Sequence, residues 1–188
     1  MSIDITFTLS NADLQRFEEI VARAKTLVEE PDNARKVEEA AQHLLDQAAG
    51  SDLPDFIRER ILKLETLLNM VQDAEWQLEA AERKRILSAL SYFSLAEDLI
   101  PDHVPGVGFL DDAIYTEIVI QELDSELRLY NEFCQYRIAE ENRRRNRGLD
   151  PKVGREDWLA DKRSVLHSRM RARRSGGGGG ASWRTRFF

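Results

Sequence analysis

Asp98, Asp102, Asp111 and Asp112 are the residues whose type and spacing most invite chemistry. They crowd the two ends of one tight stretch, Ile100-Pro-Asp-His-Val-Pro-Gly-Val-Gly-Phe109. Antiparallel helices on either side would bring the four carboxylates within several ångströms of one another. Carboxylates held that close repel, and a shared cation relieves the repulsion. An oxygen-rich set suits Mg²⁺, Mn²⁺ or Ca²⁺, with His103 or Glu117 as further ligands. The start of a helix offers the same groups ordinary work. Asp111 and Asp112 sit where a helix begins, and carboxylates there answer open backbone N–H groups and the helix dipole. A cap of this kind contributes about 0.5–2 kcal/mol. Asp98 can cap the turn or pair with Arg83 or Arg85. This structural account outweighs the metal one, so the expectation is no cofactor, with a divalent cation as the alternative.

The C-terminal end is the second chemical feature. Arg171, Arg173 and Arg174 precede the run Gly176–Gly180, and Trp183, Arg184, Arg186, Phe187 and Phe188 follow it. Residues 1–161 hold 19 Lys/Arg and 34 Asp/Glu, a balance of −15, whereas residues 162–188 hold eight cations and no acid. A basic, aromatic segment on a flexible leash suits an anionic membrane surface. Each cation there contributes about 1 kcal/mol, and Trp and Phe insert at the interface. A partner protein's groove could instead hold Phe187 and Phe188. Nucleic acid could use the same residues through phosphates and stacking, but the acidic body argues against a large footprint.

Other catalytic patterns are weak. Gly106-Val-Gly108 lacks the lysine and the length of a P-loop. Ser91 and Ser94 have no nucleophile-elbow context. Glu39 and His43 share one helix face, but no paired Glu-x-x-His motif accompanies them. Cys134 is the sole cysteine and falls on an apolar stripe, so core is expected rather than nucleophile. One cysteine forms no internal disulfide and points to a reducing compartment. The N-terminus has no basic n-region or apolar h-region, so no secretory signal is expected. No stretch approaches the apolar length of a membrane span. The expected location is the cytoplasm, with peripheral membrane contact through the basic end.

Helical periodicity organises the rest. Ile3, Ile5, Phe7 and Leu9 alternate with polar residues, which predicts a short extended arm. Ser10 reads as an N-cap for a first helix along Leu14, Phe17, Val21, Ala24 and Val28. Pro31 opens a second helix through Val37, Ala41, Leu44, Leu45 and Ala48, and Gly50 closes it. Ser51 or Asp52 would cap a third helix with Ile57, Ile61, Leu64, Leu68 and Val71 on its stripe. A fourth is expected over about 74–99, carrying Trp76, Ile86, Leu87, Leu90 and Phe93. Pro101, Pro105, Gly106 and Gly108 then break the helix. A long helix over 110–147 would bury Ile114, Ile118, Leu123, Leu127, Tyr130, Cys134 and Ile138. Arg143, Arg144, Arg145 and Arg147 close it where cations suit the dipole. Residues 148–154 are a hinge, and a short helix spans about 156–173.

The stretch from Ala89 to Ala113 resembles the YkvA-like family, a bacterial domain of unknown function. The pieces that carry the resemblance are Tyr92-Phe93, Asp98-Leu-Ile-Pro-Asp102, Pro105-Gly-Val-Gly108 and Leu110-Asp-Asp112. Phe7-Thr-Leu-Ser-Asn-Ala-Asp-Leu-Gln-Arg-Phe17 and Tyr130-Asn-Glu-Phe-Cys-Gln-Tyr-Arg137 are similar to a longer subgroup of it. Ala96 stands where the family usually has proline, which lets the preceding helix run further. The resemblance implies a helical fold and assigns no activity.

The reading is thus an all-α, irregular bundle of five or six helices with an N-terminal extended arm and a disordered basic C-terminal tail. Residues 1–147 form the helical domain, with the signature at about 86–123. Residues 148–174 form the hinge and basic helix, and 175–188 the glycine-rich tail. The expected function is a non-catalytic interaction or scaffold domain. Its rigid apex is Pro101, His103, Pro105, Gly106 and Gly108, and its tail contacts a partner or an anionic surface. A metal-dependent enzyme or metal-binding protein using the aspartates is the alternative, and a nucleic-acid accessory protein the third reading.

Overall fold

Apolar residues at helical spacing become helices almost throughout the computed structural model, which describes residues 31–94 and 108–176 and three earlier helical positions, Ala12, Gln15 and Glu19. The described elements are α1 (Pro31–Gly50), α2 (Asp55–Ile61), α3 (Leu64–Gln72), α4 (Ala80–Leu90), a 3-10 turn (Ser91–Ser94), α5 (Leu110–Glu122), α6 (Asp124–Asn146) and α7 (Arg155–Gly176). Among the described residues there is no strand. The N-terminal arm and the tail beyond Gly176 lie outside the described residues.

The chain divides into two compact units. Residues up to Gln72 and Leu78–Gln121 form the first, and Asp73–Gln77 with Glu122 onward form the second. In the first unit α1 is the element against which α2, α3, α4 and the 3-10 turn pack. Pro31 opens it at a position that needs no backbone N–H, and Gly50 ends it. Val37, Ala41 and Ala48 of α1 are buried, as are Ile57, Ile61, Leu64, Leu67, Leu68, Ile86, Leu87 and Leu90. Glu38 of α1 accepts hydrogen bonds from Arg83 of α4 and, at 3.4 Å, from Gln72 Nε2 of α3.

Several boundaries differ from the sequence expectation. The third helix is two helices. Leu62 N–H donates to Arg58 O, Lys63 N–H donates to Arg60 O, and a tight turn follows. That turn leaves Leu62 41% exposed while Ile61 and Leu64 stay buried. Neither Ser51 nor Asp52 caps α2: Pro54 holds the N-cap position without a side-chain cap, and Ser51 O instead accepts from Arg58 Nη2 at 3.0 Å. The fourth helix starts at Ala80 rather than near residue 74, and its α-helical part ends at Leu90. The long helix breaks at Leu123, whose φ of −99° and ψ of 12° lie outside the helical well.

In the second unit α6 and α7 form an antiparallel hairpin. Glu132 of α6 pairs with Lys162 and Arg169 of α7, while Glu141, further along α6, pairs with Arg155 at the start of α7. The reversal begins with a Schellman cap: Gly148 N–H donates to Arg145 O and Leu149 N–H to Arg144 O, each at 3.0 Å. Gly148 has φ of +69°, and a Cβ there would meet no atom within 4 Å. A substitution at Gly148 is therefore strained by backbone conformation alone. Gly148→Ala is expected to lower stability by about 1 kcal/mol. The denaturant midpoint should fall with no change in helical content.

Candidate functional site

The first candidate is the signature segment. Tyr92, on the 3-10 turn, stacks on Tyr115 of α5 with ring centroids 4.1 Å apart. Phe93 meets both rings edge-on. Tyr115 donates its hydroxyl to Ala89 O at 2.8 Å, and Tyr92 donates to Asp111 Oδ2 at 3.3 Å. The aromatic trio thus ties the end of α4 to the start of α5. Asp111 and Asp112 occupy the first turn of α5 and are 3% and 7% exposed. Both carboxylates therefore sit at the positive end of the helix dipole with solvent largely removed. Gly108 is buried just before them. Asp98, Pro101, Asp102, His103, Pro105 and Gly106 lie outside the described residues. Among the described residues no group of three or more His, Cys, Asp or Glu side chains is placed to hold a metal ion. Arg83 pairs with Glu38.

The densest polar cluster lies in the second unit, around Asp73–Gln77 of the connection between α3 and α4. Asp73 Oδ1 accepts from the backbone N–H groups of Glu75 at 2.9 Å and Trp76 at 3.2 Å, so it folds the segment into a turn on itself. Its other oxygen accepts from the Tyr130 hydroxyl at 3.1 Å and Arg137 Nη1 at 2.8 Å. Glu75 accepts from Arg137 Nη1 at 2.9 Å and from two nitrogens of Arg155, and Glu75 O accepts from Arg163 Nη1 at 2.8 Å. Trp76 is fully buried. His167, Phe133 and Tyr130 surround it, with ring centroids 4.4, 5.0 and 5.8 Å away. Gln77 ends the segment with φ of 50°, a left-handed conformation rare for a side-chain-bearing residue.

The charges of this cluster reinforce one another. The Arg155 hydrogen bond, outweighing the opposing effect of burial, holds the Glu75 carboxyl below its ordinary value. Burial pushes the Tyr130 phenol up, and Cys134 and Asp73 add to the effect, so the hydroxyl keeps the proton it donates to Asp73. Burial opposes the Arg137 charge, but Asp73 and Glu75 raise its pKa overall. Arg144 and Arg155 also stack over the Trp158 ring at 5.2 and 5.4 Å.

Hydropathy alone does not show this face of α6. Ile138, expected inside, is 59% exposed. Glu140 is 6% exposed and held by Arg143 and Arg144, so two of the arginines read as dipole compensation are ion-pair partners of a buried acid. Cys134 is half-buried, with Arg137 Nη2 donating to its Sγ at 3.6 Å. The one sequence signal for the Asp73–Gln77 cluster is the Asp-x-Glu-Trp run, an Asx-turn pattern in a non-repeating gap between two apolar stripes. Arg171 and Arg173 are exposed near the end of α7, and Arg174 is within that helix. Trp183, Arg184, Arg186, Phe187 and Phe188 lie outside the described residues.

Fold and site together define an all-helical protein whose described ionisable clusters bind chain to chain. A family model described as "Protein of unknown function (DUF1232)" matches residues 83–116. That match covers most of α4, the 3-10 turn and the first half of α5, and so contains the tyrosine stack and both buried aspartates. No curated protein and no solved structure matches the chain.

A carboxyl with a lowered folded pKa adds stability above its unfolded pKa and loses it as pH falls through the folded one. Glu75 is such a group, its ordinary value being 4.5. Glu75→Gln is therefore expected to lower the melting temperature at pH 7. The gap to wild type should narrow only below about pH 4.5, shrinking as pH falls through the lowered folded value. Thermal unfolding followed across that range checks it.

Proposed function

We propose that this chain is a non-catalytic interaction domain, a YkvA-like helical body that presents a basic, aromatic C-terminal end to an anionic membrane surface in the cytoplasm. The observation that carries this reading is the one-signed charge of the C-terminal end, which holds no acid after Asp161. Arg155 pairs with Glu75 and Glu141, Lys162 and Arg169 with Glu132, and Arg163 with Glu156. After Arg169 the sequence holds five more arginines, Arg171, Arg173, Arg174, Arg184 and Arg186, and no Asp or Glu. Positive charge accumulates past that point, and an anionic surface is the counterpart proposed for it. Trp183, Phe187 and Phe188 favour a bilayer interface, where aromatic rings insert beside cations. Among the described residues no helix is long and apolar enough to cross a membrane, and the contact proposed is peripheral.

Sedimentation with lipid vesicles tests this. The full chain should pellet with phosphatidylserine-containing vesicles and stay in solution with neutral ones, and added salt should weaken the binding. Combined R171E, R173E and R174E should abolish it, and deletion of 177–188 should reduce it without altering thermal unfolding. Equal binding to both vesicle types, or full binding by the triple variant, would count against the reading.

A second reading is kept alive by one observation: adjacent buried carboxylates, Asp111 and Asp112, inside the matched segment. With Asp98 and Asp102 they would bind a divalent cation. Mg²⁺, Mn²⁺ or Ca²⁺ should then raise the melting temperature of wild type but not of Asp112→Asn. No shift in wild type leaves the carboxylates as helix-start structure.

A further inference from the structure

We infer that the α6–α7 hairpin can be exchanged between two copies of this chain, each hairpin closing on Asp73–Gln77 of the other, with Leu123 as the hinge. The clasp is the reason. It holds a short, separately supplied piece of chain by Asp73, Glu75 and Trp76 against Tyr130, Phe133, Arg137, Arg155, Arg163 and His167. Between Gln77 and Glu122 the chain belongs to the other compact unit. A second copy presents the same five residues, so a hairpin would meet the same hydrogen bonds and rings there. Exchange costs the clasp nothing; only the hinge and the concentration decide.

The hinge favours opening. Residues 110–146 contain neither Gly nor Pro, and their pattern reads as one uninterrupted helix. The ladder breaks only at Leu123, and α6 starts there without a side-chain cap on its first N–H groups. The helical bonding pattern resumes at once, with Leu127 N–H donating to Leu123 O at 2.9 Å. Rotating Leu123 into the helical well would fuse α5 and α6. The helical hydrogen-bond ladder would then run unbroken from α5 into α6. Such fusion swings the hairpin off its own Asp73–Gln77 and presents it to a neighbour. One-residue connections between elements are where domain exchange is easiest.

Light scattering on the full chain tests this with complementary variants. Glu75→Arg spoils the clasped segment and leaves the hairpin intact. Arg137→Glu with Arg155→Glu spoils the hairpin and leaves the segment intact. Mixed, the two should give a species of twice the 21.7 kDa chain mass that neither gives alone. Should either variant fail to fold, wild type and Leu123→Ala decide. Both should form a dimer that grows with concentration, several-fold more in Leu123→Ala, and two glycines inserted after Leu123 should suppress it. A mixture that shows only the sum of its components overturns the inference when both variants fold. So does a wild type and Leu123→Ala that remain at 21.7 kDa up to about 1 mM, the effective concentration of a short tether.

Discussion

Burying Trp76 is the constraint on which the second unit depends. The indole can leave water only if the residues carrying it leave with it, and two of those are acids. Asp73 and Glu75 are held in place because Arg137, Arg155 and Arg163 arrive from two different helices to meet them. Those arginines in turn fix the register between α6 and α7. Arg155 reaches Glu141 as well as Glu75, so the segment and the hairpin lock one another. A hydrophobic anchor inside a ring of opposed charges is selective in a way an apolar core is not. Loss of Glu75 would leave Arg137 with Asp73 and Arg155 with Glu141, so the network weakens at one point without stranding either arginine.

The first unit solves a different problem with similar parts. Its carboxylates at the start of α5 are buried at a helix terminus, where Asp111 accepts from Tyr92. Tyr92 and Tyr115 spend their rings on each other and their hydroxyls on Asp111 and Ala89. This junction lies wholly within the stretch that matches the family model, whereas the clasp is built from residues outside it. The shared segment and the features particular to this chain are therefore separate in the structure. An account of what the family does need not explain the clasp.

Apolar period and breaker residues made most helices legible: Pro31 and Gly50 bound α1, and every residue named on the stripe from Ile57 to Val71 is buried. The breaks at Leu62 and Leu123 were not legible, because no Gly or Pro marks them. Trp76 was correctly read as buried but assigned to a helix that begins four residues later. Its neighbours Asp73 and Glu75 carry no local mark of their role, since their partners lie far along the sequence. The inner face of α6 was misread at Ile138 for the same reason: near its C-terminal end, the stripe that faces inward is written in Arg and Glu. The place of Asp111 and Asp112 in the first turn of α5 was legible from the sequence alone.

The distance in sequence between the clasp's halves has a consequence for how the chain is made. Glu75 and Arg163 are 88 residues apart. On a ribosome, which delivers the N-terminal side first, Trp76 therefore emerges well before α7 exists to cover it. At about 5–20 residues per second, that interval lasts on the order of several seconds. For that time an indole and two acids stand uncovered on a chain whose earlier helices can already pack. The acids keep that waiting segment hydrated and mutually repulsive between neighbouring nascent chains. The same charges that later hold the clasp shut thus guard its tryptophan until the clasp arrives.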